Sequence, residues 1–166
     1  MKLPRHIAII PDGNGRWAQK KHAPRMTGHK AGLQVVRKVI ESCVKKKIEV
    51  LSFFAFSSEN WHRPSDEVSY LMQLFIHVLR KDAKRLHEQN VRLRVIGHKN
   101  RFDLPLQKQI EKVEKLTADN SGLTLLIAAN YGGQWDIVQA VQKLGADIEK
   151  GNMKPADINM ESIQSH

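Results

Sequence analysis

The sequence predicts an α/β domain built on a parallel β-sheet flanked by helices. Three observations carry that expectation. Short, β-rich apolar runs alternate with segments of helical periodicity in the order β-α-β-α-β-α-β-α. The run "EVLSFFAF" at 49–56 is so apolar that it reads as a core strand, covered on both faces. And 166 residues, 41% of them apolar, suit a single domain spanning 1–166 with one core.

"HIAII" at 6–10 is a short buried strand stopped by Pro11 and Asp12. "GRWAQKK" at 15–21 starts a short helix, and the chain stays polar and basic through Gly28. From His29 to Lys47, Leu33, Val36, Ile40 and Val44 recur at helical spacing. The second strand, 49–56, runs into the polar cluster "SSENWHRPS". Pro64 or Ser65 opens the most regular helix, with Val68, Leu71, Met72, Phe75, Val78, Leu79 and Leu86 on one face. Glu67 is placed to complete a helix-start box there. "VRLRVIG" at 91–97 alternates as a strand. Pro105 starts a helix carrying Leu106, Ile110, Val113 and Leu116. "LTLLIAAN" at 123–130 is the fourth strand, and "GGQ" leads into the helix "WDIVQAVQKLGADIEK".

Bulk properties narrow the class. The net charge is +10, which favours anionic partners: nucleic acid, anionic lipid, or phosphorylated small molecules. Much of the excess, such as Lys45-Lys46-Lys47, reads as solvated helix face. A lone cysteine, Cys43, excludes an internal disulfide framework and points to a reducing cytoplasm. No signal peptide is visible, and no apolar run approaches the roughly 20 residues of a membrane span. The histidines show no paired metal spacing, so zinc is not expected. The P-loop pattern is absent as well.

A parallel sheet places ligands beyond the carboxyl ends of its strands. Two such clusters are rich in chemistry. The first is "PDGNGRWA" at 11–18. Gly13 and Gly15 permit a sharp turn and close approach, and the N–H groups of the following helix with Arg16 suit an anion. Gly13 to Ala18 also satisfies the dinucleotide pattern G-x-G-x-x-A, but Asp12 would repel a bare diphosphate. Mg²⁺ between them turns that repulsion into attraction, because it binds one or two carboxylates together with substrate phosphates. Three readings stay open at this point: a metal-diphosphate site, a dinucleotide site, and a structural turn with Asp12 as helix cap. Arg25 and His29 are either further phosphate donors or a plain basic loop. The second cluster is "FAFSSENWHRPSDE" at 54–67. Its Ser57, Ser58, Asn60, Trp61 and Arg63 form either a substrate shelf or a turn with Trp61 as a core anchor.

"HIAIIPDGNGRWA", "GHKAG", "FAFSSENWHRP" and "LTLLIAANYGGQWDIVQA" resemble the cis-prenyltransferase family, nearest its bacterial undecaprenyl diphosphate-forming members, in order from His6 to about Lys150. The resemblance implies Mg²⁺-dependent condensation of isopentenyl diphosphate onto farnesyl diphosphate with cis double bonds. It implies a product serving as cell-wall lipid carrier, a homodimer, and an apolar tunnel between sheet and helices. It implies a cytoplasmic protein, peripheral to the inner face of the plasma membrane for product release, with no nucleic-acid partner. By position, Asp12 matches the family's metal and diphosphate aspartate. Gly13, Asn14, Gly15 and Arg16 match its diphosphate turn, and Trp17, Arg25 and His29 further contacts to the allylic substrate. Ser57, Ser58, Glu59, Asn60, Trp61 and Arg63 match the loop that orients isopentenyl diphosphate, Asn60 being a catalytic position linked to proton removal. Glu67 matches an acidic position associated with the same substrate. Phe53, Phe56, Leu71, Leu74, Leu93 and Leu125 are candidates to wall the tunnel, or ordinary core.

Two departures stand out. Pro11 replaces the family's usual methionine. The chain also ends at "DINMESIQSH", before a further strand and the "R-T-x-G-E-x-R-x-S" segment, so the expectation is a C-terminally truncated domain with weak or absent turnover. A non-catalytic diphosphate-binding subunit of a heteromeric prenyltransferase is the alternative. Asp157 and Asn159 read as the start of a helix.

Overall fold

The computed structural model describes residues 2–165. The chain forms two compact units, one reaching to Asn130 and the other beginning at Tyr131.

The first unit carries the sheet. Strands β1 (His6–Ile9), β2 (Val50–Ser57), β3 (Arg92–Ile96) and β4 (Thr124–Tyr131) lie in the order β1-β2-β4-β3. β1 runs parallel to β2 with His6 opposite Val50, and β3 runs parallel to β4 with Arg92 opposite Thr124. The helices are α1 (Asn14–Lys20), α2 (Arg25–Lys45), α3 (Ser65–Glu88) and α4 (Leu104–Leu116).

One core joins helices and sheet. Leu51 and Phe53 of β2, Leu93 and Val95 of β3, and Leu125 and Ala129 of β4 point the same way, as residues two apart on a strand must. They meet Ile40 and Cys43 of α2, Leu79 and Leu86 of α3, and Leu106, Ile110 and Val113 of α4. Each fully buried leucine among these contributes about 1.5–3 kcal/mol.

The elements match the predicted order, with instructive differences at their ends. α2 begins at Arg25, a turn before the apolar periodicity does. Its first turns hold Gly28 because the helix must approach α1: a Cβ there would sit 1.9 Å from the Asn14 carbonyl oxygen and 3.2 Å from the Ala18 Cβ. A Cβ at Gly32 would meet the Asn14 side chain at 2.8 Å. Two glycines one turn apart thus let α1 lie against α2, outweighing glycine's cost in a helix. α4 is capped by Asp103, whose Oδ1 accepts from the Leu106 N–H at 3.0 Å. Pro64 precedes α3 with no side-chain cap, so Glu67 does not complete a helix-start box. Its carboxylate is committed instead to Arg25, His29 and Arg63.

The second unit holds α5 (Gly133–Glu149), a 3₁₀ turn at Pro155–Asp157 and α6 (Met160–Ser165). Tyr131 Oη donates to Asp136 Oδ2 at 2.7 Å in the first turn of α5. Asn159 Oδ1 accepts from the Ser162 N–H at 2.9 Å, so α6 starts where the sequence places a helix start. Among the described residues no helix is long and apolar enough to cross a membrane.

Candidate functional site

Within the first unit, a cavity of about 430 Å³ opens at the carboxyl ends of β1 and β2. Its size is typical of small-molecule sites. The body is apolar: Leu33 and Val36 of α2, Leu71, Met72, Leu74, Phe75 and Val78 of α3, Phe53 to Phe56 of β2, and Ile127 and Ala129 of β4. The rim is polar and charged: Asp12, Gly13, Asn14, Gly15, Arg16, Arg25, His29, Ser57, Asn60 and Arg63. A charged mouth over an apolar chamber is the shape of an amphiphile with an anionic head.

The glycine turn is built as its sequence requires. Gly13 has φ +84°, a left-handed conformation that L side chains resist. Asn14 Nδ2 donates to the Pro11 carbonyl at 3.1 Å, closing the turn. Pro11 takes part in the turn through its carbonyl, the one backbone hydrogen-bonding group that proline keeps. At Gly15 a Cβ would stand 2.9 Å from the Arg25 Cζ, so the absent side chain is what lets the Arg25 guanidinium lie over α1. α1 has seven residues and makes no side-chain cap bond, so Asp12 is not its cap. So short a helix also adds little dipole to an anion site, and the arginines carry the positive charge.

Asp12 is held ionised. The Gly13 N–H donates to its Oδ1, Arg16 pairs with Oδ2 at 3.0 Å, and Arg63 adds a weaker attraction. Together they keep its carboxyl below the usual carboxylate range. Both Asp12 and Arg16 are 71% exposed, so their pair is weak and either group can turn to a ligand.

Glu67 organises the rim from below. It is 7% exposed. Its Oε1 accepts from Arg63 at 3.0 Å and lies 3.3 Å from His29 Nε2, while Oε2 accepts from Arg25 at 3.1 Å. Burial alone would raise its pKa; the His29 hydrogen bond and the charges of Arg25 and Arg63 outweigh that and hold it below its ordinary value. One carboxylate therefore fixes three basic side chains from α2 and the β2–α3 connection.

Ser57 and Asn60 form the far rim. Ser57 Oγ accepts from the Glu59 N–H, and Asn60 Oδ1 accepts from the Ser57 N–H, both at 3.1 Å. With its carbonyl engaged, Asn60 keeps Nδ2 as the group to offer a ligand. Trp61 points away from the cavity. Its Nε1–H donates to Asn130 Oδ1 at 2.8 Å, its ring packs edge-on to Phe56 at 5.3 Å, and Arg101 lies over it at 4.8 Å. Asn130, 2% exposed and at φ +52°, also donates to the His98 carbonyl. Trp17, Ser58, Glu59 and Glu67 likewise lie outside the cavity lining. Of the candidate tunnel residues, Phe53, Phe56, Leu71 and Leu74 line the chamber, whereas Leu93 and Leu125 are sealed in the core.

Sequence patterning did not reveal the Glu67 hub, the seating of Asn14 between two glycines, or the tie between Trp61 and Asn130. A signal for the second was present: Gly28 and Gly32 share one helix face at i, i+4.

The donor set decides which metal could fit. Among the described residues no group of three or more His, Cys, Asp or Glu could cage an ion. A single ionised, exposed carboxylate beside diphosphate-type donors fits Mg²⁺, which takes one or two protein carboxylates and fills its shell with phosphate and water. It does not fit a structural zinc site.

The family model described as "Putative undecaprenyl diphosphate synthase" matches residues 10–166. The ditrans,polycis-undecaprenyl-diphosphate synthase ((2E,6E)-farnesyl-diphosphate specific) of Aliivibrio fischeri is 53% identical over 98% of this chain, and that of Pseudomonas putida is 53% identical over the same share. The chain spans 63% and 65% of the length of these two relatives. Among solved structures, lavandulyl diphosphate synthase from Lavandula x intermedia, in complex with dimethylallyl diphosphate, matches with TM-score 0.94 at 34% identity, over 98% of this chain and 70% of that one. A probable undecaprenyl diphosphate synthase from Campylobacter jejuni matches with TM-score 0.78 at 30% identity, over 99% and 69%. With the family model matching almost the whole chain and relatives 53% identical to it, the chain belongs to the cis-prenyltransferase family.

Proposed function

We propose that the site binds farnesyl diphosphate and serves cis-prenyl transfer, the successive addition of isopentenyl diphosphate to make a long-chain polyprenyl diphosphate. The observation that carries the reading is the cavity itself, with an arginine-rich rim around an ionised aspartate and a chamber of aliphatic and aromatic side chains. The names of the relatives, which specify (2E,6E)-farnesyl diphosphate, supply the substrate.

The residues divide the task. Arg16 and Arg25, with the N–H groups of Asn14 and Gly15, hold the allylic diphosphate and stabilise the charge it gathers as it leaves. His29 stands beside Arg25 on the same carboxylate. Arg63, Ser57 and the Asn60 amide orient isopentenyl diphosphate so that its double bond faces the allylic carbon from which the first diphosphate leaves. The allylic C–O bond breaks and diphosphate leaves, and the isopentenyl double bond forms the new C–C bond. The isopentenyl carbon next to the resulting cation then loses a proton to the released diphosphate, leaving the new double bond. Each charge-assisted contact to phosphate is worth about 1.5–3 kcal/mol. Glu67 acts as a positioning residue, keeping Arg25 and Arg63 aimed. The prenyl tail lies among Leu33, Leu71, Phe75 and Phe53. Asp12 would hold Mg²⁺, which when bound supplies positive charge to the leaving diphosphate.

The same reading includes a homodimer, detectable by sedimentation velocity, and a product handed to a membrane. The test is incubation of the chain with farnesyl diphosphate, labelled isopentenyl diphosphate and Mg²⁺, followed by lipid extraction. Slow formation of labelled prenyl chains longer than C15 is expected, in keeping with the weak turnover read from the sequence. Farnesyl diphosphate binding with no extension would refute condensation by this chain and favour a non-catalytic diphosphate-binding subunit.

A further inference from the structure

Charge is distributed very unevenly. Residues 1–40 hold nine Lys and Arg against one acidic residue, Asp12, so this stretch carries most of the net charge of +10. The site accounts for only part of it. Arg16 and Arg25 line the cavity, and Arg5 and Arg37 pair with Glu49 and Asp82. Lys20, Lys21 and Lys30 do none of this: they are exposed, lie outside the cavity lining, and form no ion pair among the described residues.

These lysines share the α1–α2 hairpin with exposed apolar groups. Trp17 is 44% exposed and Met26 36%. Lys21 Nζ sits 4.5 Å from the Trp17 ring. The hairpin is a rigid support, because Gly28 and Gly32 seat α1 against α2. Its other side presents Gly15, Arg16, Arg25 and His29 to the mouth of the cavity.

We propose that the outer side of this hairpin, carrying Trp17, Lys20, Lys21, Met26 and Lys30, docks on an anionic lipid bilayer. Lysines beside a partly exposed indole and a thioether match a headgroup layer: the ammonium groups meet lipid phosphates while the apolar groups enter the boundary with the acyl chains. The scarcity of carboxylates removes the repulsion that would oppose it; the one present, Asp12, is paired with Arg16. A bilayer is favoured over nucleic acid because the lysines stand beside exposed apolar groups, Trp17 and Met26, on the same hairpin that presents Gly15, Arg16, Arg25 and His29 to the mouth of an apolar chamber suited to a prenyl tail. The inference deepens the proposed function by naming the surface that meets the lipid, and its test needs no substrate.

The experiment is co-sedimentation of the chain with vesicles of phosphatidylcholine alone and with 30% (about one lipid in three) phosphatidylglycerol, alongside an RNA oligonucleotide competitor. The expected result is binding to the anionic vesicles only, weakened by salt. It should fall on the order of 100-fold in the triple variant Lys20→Gln/Lys21→Gln/Lys30→Gln, at about fivefold per lysine. Trp17→Ala should lower it by about tenfold, reporting burial of the ring. Thermal unfolding confirms that both variants fold, and the triple-lysine variant keeps wild-type farnesyl diphosphate affinity. Vesicle binding unchanged in the variants overturns the inference, as does RNA binding tighter than vesicle binding. Loss of farnesyl diphosphate binding in the wild-type chain instead strikes the proposed function and leaves the docking surface standing.

Discussion

Replacing Glu67 with glutamine keeps the side chain's shape and removes its charge. In the native chain this carboxylate is 7% exposed and faces Arg25, His29 and Arg63, whose side chains are 44%, 14% and 33% exposed. Breaking a fully buried ion pair costs about 3–5 kcal/mol, and breaking an exposed one about 0.2–1. Two half-screened arginines place Glu67→Gln between these limits, at about 2–3 kcal/mol. For a chain of this length that lowers the unfolding midpoint by roughly 5–10 °C. The effect also carries a pH signature. Glu67's carboxyl is held below its unfolded value, so its stabilisation is complete above the ordinary carboxylate pKa of about 4.3 and disappears as pH falls through the folded value. Melting of wild type and variant by circular dichroism at pH 7, 5 and 3.5 reads both. The gap should be full at the first two and narrower at the third. Equal midpoints at pH 7, or a gap unchanged in acid, would refute the hub.

Other perturbations test neighbouring features. Gly28→Ala puts a Cβ against the Asn14 carbonyl and should destabilise by about 3 kcal/mol or more, despite alanine's better helix propensity; Gly145→Ala on α5, where nothing lies within 4 Å, should stabilise by about 0.5–1 kcal/mol in the same melting assay. Asp82→Ala removes the partner of Arg37 at 2.9 Å, across from α3 to α2, and of Arg85 at 3.5 Å within α3, and should cost about 2–4 kcal/mol in denaturant unfolding, with Asp82→Asn milder. Trp61→Phe keeps the ring contact with Phe56 but leaves the buried Asn130 side-chain Oδ1 without its indole donor. A loss of about 1–3 kcal/mol is expected, with little change in farnesyl diphosphate affinity because Trp61 lies outside the cavity lining.

The sequence was most legible where one periodicity dominated. The apolar stripe from Val68 to Leu86 marks α3, and "EVLSFFAF" marks a central strand, because burial imposes those patterns directly. The rim was legible by position, since a parallel sheet gathers the residues beyond β1 and β2 at one end. Residues whose meaning depends on a distant partner were not. Glu67 looks like a helix-start acid until Arg25, 42 positions away, folds against it. Leu93 and Leu71 are alike as leucines, yet one is sealed beneath α4 and the other faces the chamber. Trp61 follows the strand end like a substrate shelf, but its indole N–H is taken by Asn130, 69 positions on.

We propose that Asp12 and the arginine rim form a metal-assisted diphosphate site over an apolar chamber. Isothermal titration of farnesyl diphosphate into the chain, with and without Mg²⁺, for wild type and Asp12→Ala, tests it most directly. Tight binding is expected only when Mg²⁺ and Asp12 are both present, with a residual weak affinity from Arg16 and Arg25 otherwise. Equal affinity in all four titrations would contradict it, leaving the glycine turn and arginines as a plain anion cradle.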